Sequence, residues 1–146
     1  MLQRSTYSLI TFSGHSKPLD KWLQHRQLLV SGYCHMIANT LSVTLPPVAE
    51  VKYWCAELVD YLTAGHFQVF TELLEHMQKE SNENFEYESL IETTNQLLSL
   101  QEAVFEISDD NSKSLEGVLS NLGELLAKRL EIEDLFISSA LKPQAA

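Results

Sequence analysis

The amino-acid sequence predicts an all-α fold, an antiparallel up-and-down bundle of four long helices plus one short helix. Three observations carry this expectation. Apolar residues recur at three- and four-residue spacing over long stretches, the period of one helical face. The 146 residues include only five Gly and four Pro, too few punctuators for a turn-rich β architecture. No segment alternates apolar and polar residues convincingly for more than four positions. Apolar residues make up 45% of the chain, so one domain can bury a real core.

The elements follow in order. Residues 1–15 show no sustained apolar period and are expected to form a loosely ordered N-terminal arm, with a single domain over 16–146. Ser16-Lys17-Pro18 reads as a helix start: proline suits a first turn, and Asp20 complements the helix dipole. Apolar residues at 19, 22/23, 29/30, 33 and 36/37 make the stripe of this first helix, which runs to about Asn39. Thr40 to Thr44 drops the period. Pro46-Pro47 opens a second helix on Val51, Trp54/Cys55, Leu58 and Tyr61/Leu62, and Gly65 is expected to end it. A short third helix follows, with Phe67, Phe70, Leu74 and Met77 expected to face inward. Glu80 to Asn84 is a polar break. A fourth helix spans about Glu86 to Ile107, on Tyr87, Leu90/Ile91, Thr94, Leu97/Leu98 and Val104/Phe105. Ser108 to Ser112 reads as a loop that supplies capping side chains. The fifth helix carries Leu115, Val118/Leu119, Leu122, Leu125/Leu126, Ile132 and Phe136, and Lys142-Pro143 ends it.

Twenty Asp and Glu against ten Lys and Arg give a formal charge of −10. Phosphates would be repelled, so no direct contact with nucleic acid is expected. A basic protein partner is the natural complement. Nine carboxylates and no Lys or Arg lie between Lys79 and Lys113, whereas the first 40 residues carry four basic residues and one acid. That asymmetry suits docking or a solvated helix face alike. Cys34 and Cys55 make no disulfide framework and sit within apolar stripes as buried thiols. The apolar stretch Tyr7 to Phe12 is too short for a signal peptide or a membrane span. A cytoplasmic protein, away from the membrane, is expected.

Several polar residues fall on or beside apolar stripes. Arg26 lies at helical spacing from Trp22, Leu23, Val30 and Tyr33; Arg129 and Glu133 sit four apart on the last helix; His66 follows Gly65. Buried charges need partners, so these residues form either a paired network inside the bundle or a polar groove that receives a partner. A metal is not expected. Three residues before the five histidines stand Phe12, Trp22, Gly32, Thr63 and Leu73, none of them a carboxylate, so the Glu-x-x-His of di-iron bundles is missing. Neither a cofactor nor a catalytic centre is expected: phosphate loop and nucleophile elbow are both lacking. His76-Met-Gln-Lys79 is the single His-x-x-Lys, and it offers an alternative reading as a histidine phosphotransfer or other signalling bundle; Glu80 stands where that motif usually has glycine.

Three blocks resemble the Rsd/AlgQ family of bacterial anti-sigma factors. They are Leu19-Asp20-x-Trp22-Leu23-x-x-Arg26, the run Leu58-Val-Asp-Tyr-Leu-Thr-Ala-Gly-His-Phe67, and Leu119-Ser-Asn-Leu-Gly-Glu-x-Leu126 continuing through Arg129 to Glu133-Asp134. The resemblance implies a helical bundle with no chemical step. It also implies a partner, the primary sigma factor of RNA polymerase, bound at the C-terminal domain that reads the −35 promoter element. Binding would sequester that domain from core polymerase and from DNA. By the same resemblance Asp60 stands at an aspartate tied to sigma binding, and Asp20, Arg26, His66 and Glu133 are further candidates for that contact. Trp22, Phe67 and Arg129 occupy shared positions that serve the core or the interface, with Trp22 and Phe67 favoured as core. A monomer is favoured. Residues 1–15 and roughly 80–112 match the family less well.

Overall fold

Helix-start signals in the sequence set most element boundaries. In the structure, a computed structural model that describes residues 1–40, 45–77 and 84–141, the Ser16 hydroxyl accepts the Leu19 N–H at 3.2 Å and α2 runs over Lys17–Thr40. Pro47 caps α3, Val48–Ala64. The Asn84 side chain accepts the Tyr87 N–H at 2.8 Å and opens α5, Phe85–Phe105. Ser108 and Asn111 form a reciprocal capping box before a 3₁₀ turn, Asp109–Ser114, which leads without a break into α6, Leu115–Ala140. The predicted loop at 108–112 is thus a capped segment of 3₁₀ turns kinked at Asn111, whose φ of −122° and ψ of 31° are not helical.

The first residues depart from the expectation of a loose arm. They form α1, Leu2–Phe12, lying against α2 and α6. Its fully buried side chains are Ser5 and Ser8, with Met1, Leu9 and Phe12 packed against the core edge, while Tyr7 and Ile10 face outward. A search for apolar period misses a helix whose most buried positions are serines.

Gly65 does not end a helix either. Its φ is −57°, and the chain passes through a π-helical turn, Gly65–Phe70, into α4, Thr71–Met77. Glycine is there for close packing: a Cβ would lie 3.1 Å from Trp22 Nε1 and 3.2 Å from the Phe70 ring. The short helix is thus a continuation of α3. Phe67, expected inward, is 80% exposed, whereas Phe70 is fully buried. Phe105 also turns outward, and Cys34 is only partly buried. The polar break over 80–83, the segment 41–44 and the Lys142-Pro143 stop lie outside the described residues.

Cross-helix contacts define the packing sense. Trp22 meets Tyr61, His25 meets Glu57 and Trp54 meets the Leu29 carbonyl, so α2 and α3 run antiparallel. Tyr33 meets Leu119 and Arg26 meets Glu133, so α2 and α6 do as well. Between these helices and α5 lies the core: Leu58, Phe70, Leu90, Leu97, Leu122, Leu126 and Phe136 are all fully buried. Each such side chain contributes about 1.5–3 kcal/mol by leaving water.

Candidate partner-binding face

The charged residues on the apolar stripes form one connected network inside the bundle. Arg129 and Glu133, one turn apart on α6, are both at 0% exposure, as is Arg26 on α2. Arg129 Nε donates to Glu133 Oε2 at 2.9 Å, and its Nη1 donates to the Leu90 carbonyl and to the Thr93 and Thr94 hydroxyls on α5 at 2.6–3.0 Å. Glu133 Oε1 accepts from the Tyr61 hydroxyl at 2.5 Å and from Arg26 Nη1 at 3.4 Å. Arg26 also donates to Asp134 at 2.8 Å and to Ser8 of α1 at 3.0 Å. Burial opposes the Arg26 charge, but Tyr61, Glu133 and Asp134 outweigh it and raise its pKa. Burial, then Glu133, drives the Tyr61 phenol well above its ordinary value, so it remains a donor. Five helices meet in this cluster, which ties their register together.

His66 borders the network. Its Nε2 lies 2.9 Å from Thr94 Oγ1, and that hydroxyl gives its one proton to the Leu90 carbonyl. A ring that donates Nε2–H to this oxygen completes the arrangement. Burial, then the nearby Arg129 charge, lowers its pKa. His66 sits in the π turn, and its carbonyl accepts from the Thr71 hydroxyl at 2.8 Å. Such turns recur at functional sites.

The remaining candidates divide between interior, hinge and surface. Trp22 stacks on Tyr61 at 4.9 Å and donates to its carbonyl, a core role. Asp20 accepts the Gly14 N–H at 3.0 Å and closes the turn between α1 and α2. Asp60 and Phe67 are exposed on the outer side of α3 and the π turn. Arg26, Arg129 and Glu133 have no surface through which a partner could reach them. Of the eight residues singled out, Asp60 and Phe67 stand most openly on a common face, with His66 half-buried beside them.

That face is a ridge. Tyr53, Ala56, Asp60, Thr63 and Phe67 are all exposed at helical spacing along its crest. A groove on the α2 side is bounded by His25, Leu28, Gly32, Tyr53, Trp54 and Glu57, and a second on the α5 side by Leu62, His66, Phe67, Tyr87 and Leu98. Leu28 is 73% exposed and Tyr53 71%. Sequence reading missed both because each adjoins a stripe residue, Leu29 and Trp54, that accounts for the period.

This arrangement suits binding more than chemistry. Burial pushes the Cys55 thiol up to about 12, which leaves it an unreactive packing group. His76 is exposed on α4, while Lys79 and Glu80 of its motif lie outside the described residues. Among the described residues no group of three His, Cys, Asp or Glu is placed to hold a metal ion, and no helix is long and apolar enough to cross a membrane.

Comparison with known proteins adds a relationship to this geometry. A family model described as "Regulator of RNA polymerase sigma(70) subunit, Rsd/AlgQ" matches residues 1–141. The chain is 35% identical over 134 residues to a protein named Regulator of sigma D from Sodalis glossinidius, covering 88% of this chain and 91% of that one. It is 27% identical over 150 residues to the protein of the same name from Yersinia enterocolitica, covering 96% and 90%. The Pectobacterium atrosepticum protein of that name is 27% identical over 134 residues, covering 85% and 88%.

Proposed function

The chain belongs to the Rsd/AlgQ family of regulators of the RNA polymerase sigma(70) subunit, and from that premise we propose that it is an anti-sigma factor acting in the cytoplasm as a monomer, by binding and without a chemical step. The observation that carries the reading is the family match along residues 1–141, together with named relatives aligned over most of their length. The partner is the primary sigma factor, and the part bound is its C-terminal, −35-reading domain. A DNA-reading helix-turn-helix domain needs a basic surface for phosphates. A chain of formal charge −10 complements that surface and competes with DNA for it.

The α3 ridge is the contact face of this reading. Asp60 on its crest offers a carboxylate to a sigma Arg or Lys, and Phe67 offers an apolar anchor. The charged interior acts behind the ridge. Tyr61 and His66, both tied to the network, hold α3 and the π turn against α6 and α5, so the ridge meets its partner preformed.

The test is a titration of the purified primary sigma C-terminal domain with the chain, paired with transcription from a −35-dependent promoter. Saturable binding and loss of that transcription, restored by added sigma factor, are the expected results. A sigma domain that does not bind refutes the proposal.

A further inference from the structure

The groove between α2 and α3 has a shape and charge of its own. Two large apolar side chains, Leu28 and Tyr53, stand mostly exposed on opposite banks. Between them Gly32 lets the floor sink to the buried Trp54. His25 to Met36 along α2 spans about 16 Å at the usual helical rise, roughly three turns. Glu50 and Glu57 lie on the α3 bank two turns apart, and among the described residues no Lys or Arg lines the groove.

We propose that this groove receives an amphipathic helix with Lys or Arg flanks, supplied by the sigma factor; the inference rests on the anti-sigma reading and names one subsite within it. Backbone chemistry selects a helix. Every wall of the groove is helical, with its N–H and C=O groups engaged internally, so no free edge can pair with an extended strand. An incoming segment must satisfy its own backbone, and a helix does so. Charge selects the flanks. Anchors at i, i+3/i+4 and i+7 fit between Leu28 and Tyr53, and basic residues two turns apart meet Glu50 and Glu57. On docking, the His25–Glu57 contact, 3.5 Å in the free protein, yields the Glu57 carboxylate to the partner's cation.

The experiment is calorimetric titration of the sigma C-terminal domain into the full chain and its variants, with circular dichroism as the folding check. L28A/Y53A is expected to bind about 30-fold more weakly, the loss typical of truncated interface anchors. E50Q/E57Q is expected to flatten the salt dependence of Kd. L28K, which puts the partner's own sign of charge at an exposed position, is expected to weaken binding as well. Leu135→Ala, an exposed apolar truncation on α6, is expected to stay within about twofold. L28A/Y53A and L28K binding within twofold of the unsubstituted chain, while Asp60→Ala weakens it, would overturn the groove assignment and leave the anti-sigma reading standing. Failure of the unsubstituted chain to bind would overturn both.

Discussion

Glu133→Ala is the sharpest probe of the buried network. Glu133 is at 0% exposure and, among the described residues, is the one carboxylate paired with Arg129, at 2.9 Å. It also accepts the Tyr61 hydroxyl at 2.5 Å. Arg26 is less dependent on it, because Asp134 and Ser8 remain at 2.8 and 3.0 Å. Truncation therefore strands one buried guanidinium without a counter-charge and one buried hydroxyl without an acceptor. Losing one side of a buried ion pair costs about 3–5 kcal/mol, and an orphaned hydroxyl about 1–3 kcal/mol, with the two overlapping at a shared site. A loss of about 4 kcal/mol is expected, a large share of the roughly 5–15 kcal/mol typical of a domain. It would lower Tm by on the order of 10 °C. Urea titration followed by far-ultraviolet circular dichroism measures it. The triple variant Y61F/R129M/E133L removes the stranded groups together and is expected to recover most of the loss. A Glu133→Ala chain less than about 1 kcal/mol destabilised would refute the argument and make Glu133 a dispensable acid.

Two further perturbations test the packing at separate places. The lowered His66 pKa means that the folded state holds this imidazole neutral, while the unfolded chain takes up its proton near pH 6.5. The resulting stabilisation is complete above that value and is lost as pH falls toward the folded-state pKa. The Tm drop from pH 7.5 to 5.5 should be smaller in His66→Gln, and an identical drop in both proteins would contradict the assignment. In α6, a Cβ on Gly123 would fall on the Tyr33 hydroxyl, which donates to the Leu119 carbonyl at 2.8 Å, whereas one on Gly117 meets nothing within 4 Å. Thermal melts should therefore show Gly123→Ala destabilising by about 1–3 kcal/mol and Gly117→Ala stabilising by up to about 1 kcal/mol. Equal effects at the two sites would contradict the packing.

Much of this architecture was legible because the physics that builds it is periodic. The stripes of α2, α3, α5 and α6 repeat at helical spacing, and Ser16 and Ser108 announce helix starts through side-chain oxygens, whereas the Asn84 cap reads only as part of a polar break. Arg26, Arg129 and Glu133 stood out as charges on apolar stripes, and the interior network is what such residues require. Three features escaped periodicity. Helix α1 buries Ser5 and Ser8, whose hydroxyls carry no apolar signal. Gly65 read as a stop, but its role is tertiary, making room for Trp22 and Phe70, and no local rule reports that. The π turn then places Phe67 outside, although Phe67 and Phe70 share one helical spacing. The ridge was half-visible: Asp60 came from family resemblance, while Tyr53 and Leu28 were absorbed into the core stripes beside them.

Binding of the sigma C-terminal domain by the α3 ridge, as proposed, turns on Asp60. This carboxylate is exposed and makes no contact with the buried network, so Asp60→Ala is expected to leave helicity and Tm nearly unchanged. Titration of the purified primary sigma C-terminal domain against the Asp60→Ala chain is the decisive measurement. Binding is expected to weaken by about 30-fold or more, as for a charge pair drawn into a partly dry contact. A Kd within about twofold of that of the unsubstituted chain, with both proteins folded, would contradict it.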